Sequence, residues 1–228
     1  MSVFAIADLH LSLGTDKPMD VFRGWSDYVQ RLEENWRSTV SPQDIVVLGG
    51  DISWAMHLEE TTADFTFLQN LPGQKRIIKG NHDYWWTTRR KMDLFLQQNG
   101  WDSLGFIFND AVAAQGVALC GTRGWFPEAG NEENQKIMLR EEGRLAASLE
   151  AGKKLGLPPI AFLHYPPLYG NTVCRGIIDV MHRYGVTQCY YGHIHGAAAS
   201  KAFQGVFEGI TMQLIAGDHL AFTPIKII

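Results

Sequence analysis

The chain has 228 residues, of which 46% are hydrophobic and 19% charged, and it carries a formal net charge of −4. Such a composition excludes a disordered segment and allows a substantial core. The acidic balance supplies no basic stripe of the kind that non-sequence-specific nucleic-acid binding needs. No run approaches the roughly 18 apolar residues of a membrane span, and the start, Met1-Ser2-Val3-Phe4, lacks the basic n-region and apolar stretch of a signal peptide. The three cysteines, Cys120, Cys174 and Cys189, form no Cys-x-x-Cys pair. Cys120 and Cys189 fall in apolar, strand-like runs and read as small buried hydrophobes. The expectation is a soluble, cytoplasmic protein in a reducing compartment.

Strand-like and helix-like runs alternate along the chain. A strand at Val3–Ala7 precedes a helix whose stripe, Phe22, Trp25, Val29, Leu32 and Trp36, repeats every three or four residues. A strand at Ile45–Leu48 and a helix at Leu58–Asn70 follow. Next come strand Arg76–Lys79, helix Thr87–Gln98, and strands Gly105–Phe108 and Val117–Cys120. The charged segment Asn131–Glu150 reads as a surface helix. Strand Ile160–Leu163, helix Gly176–Tyr184 and strand Gln188–Tyr191 complete the alternation. The apolar stretches after His195 read as antiparallel strands closing a sheet. An α/β chain of this length often forms one domain, so residues 1–228 are read as one. Alternation of this kind predicts mixed or parallel sheets covered by helices, with ligands bound beyond the carboxyl ends of the strands.

Five short pieces at strand ends carry the chemistry. They are Asp8-Leu9-His10, Gly49-Gly50-Asp51, Gly80-Asn81-His82-Asp83, a lone His164, and Gly192-His193-Ile194-His195. Five of the eight histidines lie in them. Carboxylate, imidazole and amide groups are the usual ligands of hard or borderline divalent metals, so the pieces together point to a two-metal site.

The order D-x-H, G-D, G-N-H-D, H, G-H-x-H resembles that of the calcineurin-like metallophosphoesterase superfamily, over most of the chain. The resemblance implies an α/β fold, a four-layer double β-sandwich flanked by helices with two metals held among its loops. It implies that Asp8, His10 and His195 bind one metal, that Asn81, His164 and His193 bind the other, and that Asp51 bridges both. It implies that His82 faces the substrate and that Asp83 orients His82. The expected activity is hydrolysis of a phosphate mono- or diester by a phosphatase or phosphodiesterase.

The residues carry an argument of their own. Asp8 and His10, like His193 and His195, are two apart, so on a strand end both members of a pair point the same way. Glycines before Asp51, Asn81 and His193 let the backbone turn sharply. One carboxylate can join metals about 3.5–4 Å apart. Two divalent ions bring four positive charges, Asp8 and Asp51 remove two, and a bridging hydroxide removes a third. The site stays cationic, which suits a phosphate anion and its transition state. Mn²⁺, Fe²⁺, Zn²⁺ and Ni²⁺ all suit this ligand set.

Other residues carry weaker signals. Asp83 also reads as a helix N-cap. Arg123, in Gly121-Thr122-Arg123-Gly124-Trp125, reads either as a phosphate clamp or as a surface arginine. Trp54, Trp85 and Trp86 read as stacking surfaces for a base or lipid chain, or as packing for the ligand loops. Tyr165-Pro166-Pro167 stiffens the loop after His164. His57, His182 and His219 match no motif and read as structural or surface residues, and Asp16, Lys17 and Asp20 as cleft rim or solvated loop. A small phosphorylated substrate is the expected partner. A phosphoesterase-fold binding scaffold and a nuclease are the alternatives; the complete ligand set argues against the first and the net charge against the second.

Overall fold

The computed structural model describes residues 1–126 and 132–228. In chain order the first half runs β1 (Val3–Ile6), α1 (Tyr28–Thr39), β2 (Ile45–Leu48), a 3-10 turn at Leu58–Thr61, α2 (Thr62–Asn70), β3 (Gln74–Ile77), α3 (Arg89–Gln98), β4 (Leu104–Phe106), β5 (Ala111–Ala114) and β6 (Val117–Thr122). The second half runs α4 (Glu132–Lys154), β7 (Pro159–Leu163), β8 (Leu168–Tyr169), β9 (Thr172–Val173), α5 (Arg175–Arg183), β10 (Gln188–Tyr191), a 3-10 turn at Gly196–Lys201, β11 (Gly205–Phe207), β12 (Ile210–Leu214) and β13 (Ile225–Lys226). Among the described residues no helix is long and apolar enough to cross a membrane.

Two sheets carry the fold: a five-stranded one in the order β13-β1-β2-β3-β4 and a six-stranded one in the order β11-β12-β10-β7-β6-β5. Strand alternation sorts their side chains into layers. From β1, Val3 and Ala5 point inward and join Ile45, Val47, Leu119, Ile160 and Phe162 in a core between the sheets. Phe4 and Ile6 point the other way and meet Leu32 and Trp36 of α1, Phe65 and Leu68 of α2, and Met92 and Leu96 of α3. On the far side, Cys120, Ala161, Cys189 and Met212 meet Leu145 and Leu149 of α4 and Ile177, Ile178 and Met181 of α5. The result is four layers, helix on sheet on sheet on helix, as the family resemblance implies.

The register gathers the motifs at one end. β1 and β2 run parallel with Ile6 opposite Leu48, and β2 and β3 run parallel with Leu48 opposite Ile77. The segments that follow these strands therefore emerge side by side. In the second sheet Leu163 lies opposite Tyr191, which places His164 beside Gly192-His193. A parallel bridge between Ala7 and Ala216 ties the two sheets together there. The Ala7 amide donates to the Ile215 carbonyl at 2.8 Å, and the Gly217 amide donates to the Ala7 carbonyl at 2.8 Å.

The departures from sequence expectation have physical causes. The helix expected from Phe22 starts at Tyr28. Gly24 at φ 90° and Asp27 at φ 52° are left-handed, a conformation no right-handed helix includes. Leu58–Asn70 divides into a 3-10 turn and α2. The strand expected at Arg76–Lys79 is β3, two residues earlier. Of the expected helix Asn131–Glu150, Asn131 lies outside the described residues and the rest lies in α4. β5 escaped notice because Ala111-Val112-Ala113-Ala114 has a single β-branched residue. After His195, β11 pairs antiparallel with β12 and β13 antiparallel with β1, but β12 runs parallel to β10.

Candidate metal centre

The carboxylate and imidazole groups converge in two sets. The ligand atoms of Asp8, His10 and His195 lie within 4.8 Å of one another, and so do those of Asp51, His164 and His193. Asp51 reaches both sets: its Oδ2 is 3.8 Å from His10 Nε2 and 3.4 Å from His164 Nε2. The Asn81 amide oxygen lies 2.7 Å from His164 Nε2.

The loops reach this geometry by a route other than strand alternation. β1 ends at Ile6, before either ligand of the first motif. Asp8 at φ 59°, His10 at φ 44°, Asp51 at φ 52° and His193 at φ 73° are all left-handed. This backbone strain is held by neighbouring loops. The Asp8 amide donates to the Gly50 carbonyl at 2.9 Å, and the His10 amide to the Asp51 carbonyl at 3.0 Å. Gly50 does make a left-handed turn, at φ 91°. Gly80 and Gly192 serve instead by having no side chain: a Cβ on Gly80 would collide with Asp51 Oδ1, and one on Gly192 with Asp8 Oδ2.

The donor set fits divalent metals. His164 Nδ1 lies 3.1 Å from the Gly49 carbonyl, which only accepts, so Nδ1 carries the proton and Nε2 presents a lone pair. That lone pair faces the Asn81 and Asp51 oxygens. His195 Nδ1 lies 3.0 Å from Asp218 Oδ1, which leaves its Nε2 for the first set. There it sits 3.3 Å from both His10 Nε2 and Asp8 Oδ1. Each of the two sets could hold a metal ion.

The electrostatics are those of a buried, closely spaced cluster of ionisable groups. Burial, opposed mainly by Asp8, lowers the pKa of His10 to about 3. Burial and His164 lower that of His193 to about 3, so both rings are neutral. Burial and the Asp8 charge raise Asp51 to about 8. Asp8 itself is held below the usual carboxylate range by His195, His164 and His10, against the cost of its burial. Burial disfavours a charged His195, but Asp8 and Asp218 raise its pKa to about 10.

Asp83 has a different place from the one expected. Its fully buried carboxylate accepts from the amides of Gly80 at 2.7 Å, Asp51 at 2.9 Å and Ile52 at 2.9 Å, and from the Trp85 indole at 3.0 Å. It ties the Asp51 loop to the Asn81 loop rather than orienting the His82 ring. It does not cap a helix either, since α3 is preceded by Thr88. The His82 amide donates to Asp51 Oδ1 at 2.8 Å, and its Nδ1 lies 3.3 Å from the Tyr84 hydroxyl. The half-buried His82 ring lies 4.6 Å from that of Trp54, centroid to centroid, and 5.8 Å from that of His10. Burial and then His164 lower its pKa.

A cavity of about 380 Å³ opens here, lined by His10, His82 and His195 with Trp25, Trp54 and Phe22. Trp54 stacks on His10 at 5.0 Å. Trp85 packs on Phe65 in the core. Tyr165 lies 4.1 Å from the His193 ring. Lys17 Nζ lies 5.7 Å over Trp54, while Asp20 receives the Asp27 amide. His57, His182 and His219 are exposed. Arg123 lines a different cavity from that of the histidines.

Three supporting residues escaped the sequence reading. Asp218 fixes His195 and also accepts from the Gly196 amide at 2.7 Å. Its signal was available: Gly217-Asp218 follows an apolar run, as Gly50-Asp51 does. Asp64, buried on α2, accepts from the Leu13 amide at 2.8 Å and from the Ser53 hydroxyl, bracing the first two ligand loops. The Tyr28 hydroxyl donates to the His10 carbonyl at 2.9 Å. Neither of these last two belongs to a motif.

Solved structures share this architecture. A protein of unknown function from Aquifex aeolicus aligns with TM-score 0.53 at 14% identity, over 99% of this chain and 95% of that one. The phosphopantetheinyl hydrolase of Mycobacterium tuberculosis aligns with TM-score 0.51 at 15% identity, over 94% and 88%. The protein TT1561 of Thermus thermophilus aligns with TM-score 0.57 at 12% identity, over 98% and 96%. At these identities the likeness is one of fold. No curated protein matches the sequence. The sequence model of the calcineurin-like phosphoesterases matches residues 1–197. With its two Asp/His groups, the chain belongs to the calcineurin-like phosphoesterase family, whose members hydrolyse phosphoric ester bonds.

Proposed function

We propose that this chain is a single-domain, two-metal phosphoesterase acting on a small phosphate ester with a bulky apolar or aromatic alcohol. The observation that carries the reading is the position of Asp51, whose Oδ2 lies within 3.8 Å of a ligand nitrogen in each metal set. Asp8, His10 and His195 would hold one ion, and Asn81, His164 and His193 the other. When bound, the pair would supply Lewis-acid charge and lower the pKa of a shared water. Mn²⁺ is the first ion to try, among Mn²⁺, Fe²⁺, Zn²⁺ and Ni²⁺.

The protein's own residues do the rest. Asp51, anchored by the His82 amide, sets the spacing of the two sets. His82 lines the aromatic cavity beside His10 and His195, where it would give a proton or hydrogen bond to the leaving oxygen. Trp25, Trp54 and Phe22 would receive the organic group, as their position beside His82 suggests. Asp83 is a positioning residue, acting through the backbone of Asp51 and Gly80. A cytoplasmic setting fits the three buried free thiols.

The test compares bis-p-nitrophenyl phosphate with p-nitrophenyl phosphate as substrates of the Mn²⁺-loaded protein, with chelated protein and Asp51→Asn as controls. Metal-dependent turnover is expected, and the preferred reagent separates phosphodiesterase from phosphatase. His82→Ala is expected to lower turnover about 10²–10⁴-fold, the usual scale of proton-transfer catalysis, at unchanged metal content. Absence of metal-dependent turnover with both reagents and with a metabolite panel would reject the reading.

A further inference from the structure

A second cavity, of about 340 Å³, is lined by none of the metal ligands. It adjoins their loops: Lys79 directly precedes Gly80-Asn81, and the Arg123 carbonyl accepts from the His164 amide at 3.1 Å. Three cations line it, Lys79, Arg123 and Arg144. Glu141, fully buried, lies 2.6 Å from Arg144 and 3.3 Å from Arg123 and offsets one of those charges. Two of the three remain unbalanced by that carboxylate.

Two buried donors accompany the charge. Arg123 Nε and Trp86 Nε1 are both buried and make no hydrogen bond with any described residue, and both residues line this cavity. Each nitrogen is a donor only, so each requires an acceptor. Buried donors without one are rare and costly. An uncharged acceptor would satisfy the two N–H groups and leave the positive charge. A tetrahedral oxyanion does both, since it offers several acceptor oxygens and two negative charges, and arginine and lysine are the side chains that bind it best.

We infer that this cavity is a second anion site, in which a phosphate-type dianion rests on Lys79, Arg123 and Arg144 and accepts from Arg123 Nε and Trp86 Nε1. The expected role of Arg123 as a phosphate clamp thus belongs to this cavity and not to the aromatic one at the metals. Free inorganic phosphate and the second anionic group of a substrate share this chemistry. The assignment does not depend on the phosphoesterase reading, because no metal ligand takes part.

The experiment is a phosphate titration of the ¹⁵N-labelled full chain loaded with Zn²⁺, following the Trp86 indole and Arg123 Nε–H signals, assigned with Trp86→Phe and Arg123→Lys. Both signals are expected to shift and saturate together. Arg144→Gln and Lys79→Gln are each expected to weaken that binding about tenfold or more, as loss of one charge-assisted contact implies. Arg144→Lys should recover part of the loss. An alkane bisphosphate that binds more tightly than phosphate would identify the substrate as the source, and equal affinities would identify a free anion. Signals that stay in place, shifts that never saturate, or affinities unchanged in both Gln variants would overturn the assignment.

Discussion

Asp83→Asn separates two readings of one buried carboxylate. The two oxygens of Asp83 receive five donors: Gly80 and Asp51 amides on Oδ2, and the Ile52 and Ser53 amides and Trp85 indole on Oδ1. Asparagine keeps one oxygen and turns an NH₂ toward the donors it no longer serves. At least two of the five then lose their acceptor inside the protein. Each buried, unsatisfied donor costs about 1–3 kcal/mol, so the loss of stability should be about 2–6 kcal/mol. Domain stabilities run about 5–15 kcal/mol, so the variant should be badly weakened or unfolded at ambient temperature. The assay is urea unfolding followed by tryptophan fluorescence, in chelator so that bound metal does not contribute. A loss under about 0.5 kcal/mol, the scale of a neutral surface substitution, would refute the reasoning, and a fall in kcat at that stability would restore Asp83 to the role of orienting His82.

Asp218→Ala removes the carboxylate that fixes the His195 ring. Metal affinity should fall about 10–100-fold, as it does when such outer partners are lost, and a calorimetric titration that finds it unchanged would count against this role. Burial pushes the Cys120 and Cys174 thiols up to about 12 and raises Cys189 as well. Protons are therefore held more tightly in the folded protein, and at pH 8 only about one thiol in ten thousand at a pKa near 12 is ionised. Ellman's reagent should label all three cysteines in urea and essentially none in the native chain at that pH; rapid native labelling would contradict the burial.

The residues of the two Asp/His sets were legible because their chemistry is compact in sequence, each piece falling where an apolar run ends. The layers were legible only through the resemblance of the motifs, since Val3-Phe4-Ala5-Ile6-Ala7 is apolar throughout and the structure alone assigns Val3 and Ala5 to one face and Phe4 and Ile6 to the other. The path of the ligand loops was not legible, since the alternation of faces holds only within a strand and Asp8, His10, Asp51 and His193 adopt left-handed backbones. The partners of Asp83 were invisible for a related reason: four are backbone amides, which every residue but proline carries. Asp64 and Tyr28 act from helices, where nothing in their own sequence neighbourhood marks them. The basic cavity draws Lys79, Trp86, Arg123 and Arg144 from four separate segments, so only the fold brings them together.

The central claim is that two metal sets share Asp51. Anomalous diffraction from crystals grown with Mn²⁺ tests it most directly. Two peaks about 3.5–4 Å apart are expected, one among Asp8, His10 and His195 and the other among Asn81, His164 and His193, with Asp51 between them. A single peak, or two that do not both contact Asp51, would contradict it.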